Sequence, residues 1–162
     1  MSEAIAFQIV RADVDDLDAV MTVMEEAFNP KYGEAWTASQ CRGILTLPGS
    51  WLLLVHVANS PAGFALVRSV MDEAELLLIA IHPQFQRRKI GEALISRVIE
   101  DCRRAQINVV HLEVRADNSA LGFYERVGFE QSGIRKNYYR SVLGRLTDAV
   151  SLNLSLVRQK SG

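Results

Sequence analysis

An unbroken apolar run followed by a long amphipathic helix is the feature that most restricts how this chain can fold. Residues 76–81 are all apolar and do not alternate with polar residues, which is typical of a central strand covered on both faces. Between residues 89 and 105, apolar side chains recur at helical spacing and form one broad stripe. We therefore predict a strand in the middle of a sheet that leads into an amphipathic helix.

Patterns in the rest of the chain predict a mixed α/β fold. Strands are expected at residues 5–10, 51–58, 64–71, 75–81, 107–115, 129–136 and 148–157. Additional helices are expected at residues 13–28, 35–47 and 118–127. Turn residues at 59–63 and 72–73 join the second, third and fourth strands into an antiparallel meander. The predicted architecture is a mixed, mostly antiparallel sheet of about seven strands flanked by about four helices.

Composition limits the classes of protein to which the chain can belong. With 162 residues, 49% hydrophobic and 23% charged, residues 1–162 are expected to form one globular domain. A net charge of −1 argues against nucleic-acid binding as the main task. No apolar run is long enough for a membrane span, and the first residues lack a secretion signal. Cys41 and Cys102 fall in predicted helices, so we expect buried, reduced thiols and a cytoplasmic protein. The 3 histidines are too scattered for a metal site.

A basic segment lies where the central strand meets the long helix. Residues 86–91 read Gln-Arg-Arg-Lys-Ile-Gly. The first turn of a helix carries unpaired amides that bind anions, and Arg87, Arg88 and Lys89 add positive charge there. This combination suits a ligand with several phosphates, such as the pyrophosphate of coenzyme A. On charge alone, the alternative is a solvated basic turn that binds nothing.

The same segment resembles the acetyl-CoA loop of the GNAT acetyltransferase superfamily, which reads Gln/Arg-x-x-Gly-x-Gly/Ala between the central strand and the long helix. Other segments are similar to those of RimI-type ribosomal-protein N-terminal alanine acetyltransferases. They are Leu112-Glu-Val-Arg115, Ala116-Asp-Asn118, Phe123-Tyr-Glu125, Val127-Gly-Phe129, Arg135-Lys-Asn-Tyr-Tyr139 and Asp148-Ala-Val150. The resemblance implies a single GNAT-like domain that moves an acetyl group from acetyl-CoA, without a metal, to a protein N-terminus. For a RimI-type enzyme, the implied acceptor is the N-terminal alanine of a ribosomal protein.

The resemblance also implies roles for individual residues. The positions implied to bind acetyl-CoA are Ile79, Ala80, Ile81, Gln86, Arg87, Arg88, Lys89, Ile90, Gly91, Glu92 and Asn118. Segments 28–36 and 135–139 are implied to surround the acceptor, with Tyr138 and Tyr139 framing an extended peptide or packing a strand end.

Two residues are candidates for proton transfer. Attack on a thioester requires a neutral amine, whereas an α-amine with a pKa of about 7.7–8.0 is mostly protonated at pH 7. From pattern alone, Glu113 reads rather as a surface carboxylate paired with Arg115, whereas the resemblance implies that Glu113 is the base. The departing thiolate needs a proton or a strong hydrogen bond, which a phenol can supply, and the resemblance implies that Tyr124 is this acid. The alternative is that Tyr124 packs neighbouring helix residues onto the sheet.

The sequence departs from the family pattern at two places. Lys89 stands at a glycine position, so its backbone either avoids positive φ or carries strain of roughly 1–2 kcal/mol. The stretch between Asn118 and Tyr124 is one residue short, which leaves Asp117 or Ser119 as alternative cofactor contacts. Two other functions therefore stay open. They are acetylation of lysine or a small amine, and a non-catalytic acetyl-CoA-binding module.

Overall fold

The computed structural model describes residues 6–29 and 34–157. The strands are β1 Gln8–Ala12, β2 Ser50–Val57, β3 Ser60–Val70, β4 Glu73–Ile81, β5 Val109–Arg115, β6 Glu130–Arg140 and β7 Leu146–Ser155. The helices are α1 Leu17–Ala27, α2 Ala38–Leu45, α3 Ile90–Arg104 and α4 Leu121–Val127. Short 3₁₀ turns, Val14–Asp16 and Pro83–Phe85, precede α1 and follow β4.

All strands belong to one sheet in the order β1-β2-β3-β4-β5-β7-β6. Neighbours are antiparallel except β4 and β5, which run parallel. The predicted mixed sheet with four flanking helices is thus confirmed, and β4 lies in its middle as the apolar run indicated. Residue 5 of the first predicted strand and residues 30–33 of the predicted break after α1 lie outside the described residues.

A bulge at Leu77 explains why the apolar run of β4 does not alternate. The register with β3 pairs Leu66 with Leu78 but Val67 with Leu76, so Leu77 has no opposite residue. Such an extra residue shifts the alternation by one position, so that even-numbered side chains point to one face before the bulge and to the other face after it. Leu76 accordingly packs in the core beneath α3, and Leu78 packs in the other core beneath α1 and α2. Both faces of β4 therefore need apolar side chains.

The structure corrects the predicted turn at residues 59–63. β3 already begins at Ser60, so only Ala58 and Asn59 form the turn. Pro61 is tolerated in the strand because the register of β2 and β3 shifts beside it, between Val55 and His56. Gly63 is not a turn residue; a Cβ there would lie 3.0 Å from the Ala80 backbone oxygen and 2.7 Å from Ile81 Cδ1, so glycine favours the close packing against β4.

The short helix also begins later than predicted. α4 starts at Leu121 because Asn118 forms a turn before it. The Asn118 carbonyl accepts from the Leu121 amide at 3.2 Å, and its side chain accepts from the Ala120 amide at 2.8 Å. This turn occupies the three positions that the sequence pattern had assigned to the helix. Cys41 in α2 and Cys102 in α3 are buried and free, as predicted.

Candidate active site

The two central strands separate after a short stretch of pairing. β4 and β5 pair only from Glu73 with Val109 to Glu75 with His111. β4 then continues to Ile81 and β5 to Arg115 without further pairing between them. Backbone and side chains of both strands border the resulting gap, and two adjoining cavities lie there.

Each cavity is lined by a different set of the residues that were predicted to form the site. The first, which we term the glutamate cavity, has about 390 Å³ and is lined by Glu113 together with Tyr138 and Tyr139. The second, the loop cavity, has about 420 Å³ and is lined by Gln86 and the end of β4. The residues that line both cavities are Phe28, Glu34, Ile79, Asn118 and Tyr124. The two spaces therefore meet at these five residues, Tyr124 among them.

Glu113 projects from the half-buried face of β5. Burial alternates along this strand as predicted, with Val110, Leu112 and Val114 in the core and Glu113 on the opposite face. The carboxylate accepts from Ser151 Oγ at 3.4 Å and lies 3.4 Å from Arg135 Nε. Ser151 was not singled out from the sequence, because its place opposite Glu113 depends on the register between β5 and β7.

The alternative in which Glu113 pairs with Arg115 is not what the structure has, because the Glu113 carboxylate pairs with Arg135. Arg115 lies 2.7 Å from Glu34 and 2.7 Å from Asp117. Burial raises the pKa of the Glu34 carboxyl above its usual value; Arg115 partly offsets this rise and Asp117 adds to it. Glu34 lines both cavities but was not predicted individually. The sequence pointed to it only as one residue of segment 28–36, which the resemblance implied to surround the acceptor.

Tyr124 combines the two roles that the sequence left open. Its ring is buried in α4 and makes an edge contact with Phe129, with centroids 5.8 Å apart, so it packs the helix onto the sheet. It also reaches both cavities. Burial raises the pKa of Tyr124 to about 12, because a phenolate would lose its hydration there. The phenol is therefore a neutral hydrogen-bond donor at neutral pH.

A wide bulge in β6 turns two consecutive tyrosines toward the glutamate cavity. Asn137 has a φ of 57°, and its amide donates to Asp148 Oδ1 at 2.8 Å. Neighbouring residues of a regular strand face opposite sides, whereas here Tyr138 and Tyr139 both line the cavity. Burial, with the negative charges of Glu113 and Glu34, raises the pKa of Tyr139 to about 12.

The basic loop ends in an uncapped helix. No side chain caps α3, and its first backbone bond runs from the Ala93 amide to the Lys89 carbonyl at 3.1 Å. The amides of residues 90–92 consequently have no partner within the helix. Lys89 has a φ of 63°, so of the two predicted conformations the structure has the strained one; Arg87, with the same φ, was not anticipated.

The predicted cofactor positions are only partly brought together. Ile79, Ala80, Ile81, Gln86 and Asn118 line the loop cavity, as do the alternative residues Asp117 and Ser119. Residues 87–91 line neither cavity, and Glu92 borders a separate groove of about 510 Å³ between α3 and α4.

A family model for the acetyltransferase (GNAT) domain matches residues 18–140. The chain belongs to the GNAT acetyltransferase family. This GNAT chain is 40% identical over 96 residues to ribosomal protein bS18-alanine N-acetyltransferase of Escherichia coli K12, covering 59% of this chain and 64% of the relative. It is 40% identical over 92 residues to the Haemophilus influenzae protein of the same name, covering 57% and 63%. The matches thus span slightly less than two thirds of these relatives' length.

A solved structure extends the likeness over the whole GNAT fold. The ribosomal-protein-S18-alanine N-acetyltransferase from Escherichia coli aligns with a TM-score of 0.85 and 28% identity, covering 97% of this chain and 98% of that one. The predicted GNAT-like fold is confirmed by this agreement.

In residues 6–29 and 34–157, no group of 3 or more metal-ligating side chains is arranged to hold an ion. Within the same ranges, none of the helices has the length and hydropathy needed to cross a bilayer.

Proposed function

We propose that this GNAT protein is an acetyl-CoA-dependent N-acetyltransferase that acts on the α-amine of a protein N-terminus. The observation that carries the proposal is Tyr124, which borders both cavities and so lies where two substrates would meet. The relatives named ribosomal protein bS18-alanine N-acetyltransferase support an N-terminal alanine of a ribosomal protein as the acceptor. We infer one domain over residues 1–162, acting in the cytoplasm where such acceptors are made.

Acetyl-CoA would bind along the loop cavity and the start of α3. The free amides of residues 90–92 suit the pyrophosphate, and Arg87, Arg88 and Lys89 add positive charge around them. The acetyl group would then reach the gap between β4 and β5, where Ile79 and Asn118 line both cavities.

Glu113 would act on the incoming amine. The acceptor ammonium gives one proton to Glu113, which passes it to solvent, and the freed lone pair attacks the thioester carbonyl carbon. The carbon–nitrogen bond forms and the carbon–sulfur bond breaks. The nitrogen loses its second proton as the amide forms, and the coenzyme A sulfur gains one, so the reaction is direct and balanced.

Tyr124 would stabilise the departing sulfur. Its pKa of about 12 lies above the value of about 8.5 for an ordinary thiol. Complete proton transfer from the phenol to the sulfur is therefore unfavourable, whereas a hydrogen bond to the developing thiolate is not. We infer that Tyr124 serves as a hydrogen-bond donor and that the sulfur takes its proton from solvent.

Intact-mass analysis of peptides incubated with acetyl-CoA tests the proposed function. We expect one acetyl group on peptides that begin with alanine, and none on the same peptides with a blocked N-terminus and an internal lysine. Acetylation of the blocked peptides would show a lysine acetyltransferase instead. Calorimetric binding of acetyl-CoA without acetylation of any peptide would show a non-catalytic module.

A further inference from the structure

Arg135 and Ser151 hold one oxygen of Glu113 from outside the glutamate cavity. Arg135 Nε and Ser151 Oγ each lie 3.4 Å from Glu113 Oε2. Neither residue lines the cavity that Glu113 lines, so Oε2 is turned toward β6 and β7. Among the residues that the structure describes, none donates a hydrogen bond to the other oxygen, Oε1. The carboxylate thus has one held oxygen and one available oxygen.

The bulge of β6 keeps the Arg135 guanidinium in place. Arg135 pairs with Ala149 and Tyr139 pairs with Thr147, so residues 136–138 stand opposite the single residue Asp148. In a regular strand, side chains three positions apart point to opposite faces. Because of the bulge, Tyr138 lies beneath Arg135, with the guanidinium carbon 5.2 Å from the ring centroid. Two contacts, one with a ring and one with a carboxylate, therefore fix the guanidinium.

We propose that Arg135 is a positioning residue that, with Ser151, fixes Glu113 Oε2 and presents Oε1 to the acceptor amine. The terminal torsion of a glutamate is broad, so an unheld carboxylate samples orientations that do not reach the amine. The Arg135 side chain is 63% exposed, and ion pairs this exposed add little to stability. The two contacts of this exposed arginine, with the Glu113 carboxylate and with the Tyr138 ring, therefore serve the base more than the fold. The inference rests on the proposed role of Glu113.

Steady-state kinetics with an alanine-terminated peptide at saturating acetyl-CoA tests this role. Arg135→Ala should lower kcat on the order of tenfold, because small displacements of a reacting group are costly, and should change the peptide KM less than about twofold. Arg135→Lys should recover most of the loss, since its ammonium keeps a positive charge beside Oε2. Arg140→Ala removes an exposed arginine from the same strand and should keep the wild-type kcat. An unchanged melting temperature in Arg135→Ala would exclude loss of folding as the cause.

A double-mutant cycle shows whether Arg135 acts through Glu113. Adding Arg135→Ala to Glu113→Gln should cause no further loss of kcat, because the group being positioned is already inactive. An additional tenfold loss in the double variant would overturn the proposal. A wild-type kcat in Arg135→Ala with an inactive Glu113→Gln would also overturn it, but would leave the proposed function intact. A wild-type kcat in Glu113→Gln would overturn both the base and its positioning.

Discussion

The guanidinium of Arg115 lies 2.7 Å from the Glu34 carboxylate and joins the central sheet to the segment before α2. Only 12% of the Arg115 side chain and 22% of the Glu34 side chain are exposed. Because Glu34 lines both cavities, this ion pair also fixes part of the wall at which they meet. The pair is thus a link between the stability of the fold and the shape of the site.

Removing the arginine should destabilise the protein in a pH-dependent way. Arg115→Met leaves a partly buried carboxylate without its cation, and we expect the free energy of unfolding at pH 8 to fall by about 2 kcal/mol. Burial raises the pKa of Glu34, so its stabilising, protonated form is present at low pH and lost as pH rises. The loss measured by denaturant unfolding should therefore be smaller at pH 5. The added change Glu34→Gln should restore stability at pH 8, and equal losses at both pH values would contradict this account.

Glycine at position 89 should stabilise the protein. Lys89 has a φ of 63°, a conformation that costs a non-glycine residue roughly 1–2 kcal/mol. Lys89→Gly should raise the free energy of unfolding by about 1 kcal/mol, after allowing for the greater freedom of glycine in the unfolded chain. Arg88→Gly is the matched control, because Arg88 does not have a positive φ, and it should be neutral or destabilising. Similar melting temperatures for the two variants would show that backbone strain at Lys89 is negligible.

The amide of Gly91 should contribute to acetyl-CoA binding. Gly91→Pro removes an amide that has no partner within α3, in the first turn of the helix, where proline breaks no backbone hydrogen bond. We expect calorimetry to show a roughly ten- to hundredfold weaker affinity, as for the loss of a hydrogen bond to a charged group. Gly91→Ala keeps the amide, and its added Cβ would meet Ile81 Cγ1 at 3.9 Å, an ordinary contact. It should bind like the wild type; unchanged affinity in Gly91→Pro would remove this segment from the cofactor site.

Substitutions of Glu113 and of Tyr124 should both lower turnover, but with different pH dependence. Glu113→Gln keeps the shape but cannot accept a proton, so turnover near neutral pH should fall roughly 10²- to 10⁴-fold and partly recover as alkaline solution deprotonates the amine. Tyr124→Phe should reduce turnover without such recovery, because the missing group is a donor to the leaving sulfur. Its acetyl-CoA affinity should stay close to wild type. Retained turnover with a lower melting temperature in Tyr124→Phe would leave Tyr124 as a packing residue alone.

The order of strands and helices could be predicted because each depends on short-range patterns. The apolar run 76–81 predicted a central strand, and the alternation in 107–115 placed Glu113 on the polar face of β5. The errors at Ser60 and Asn118 arose where a bulge or a side-chain turn replaces the regular period. Such local irregularities depend on the partner strand or on a single hydrogen bond, and neither can be read from the periodicity of apolar residues.

The sequence by itself determined the mixed α/β fold, the long helix after the basic loop, and Glu113 and Tyr124 as candidates, since periodicity, spacing and family resemblance all lie along the chain. Only the tertiary structure decided which charges pair. Glu113 is neighbour to Arg135 and Ser151, and Arg115 to Glu34, because contacts between residues distant in sequence depend on strand order, register and bulges. The physical reason is that a hydrogen bond or ion pair acts over a few ångströms in space, regardless of separation along the chain.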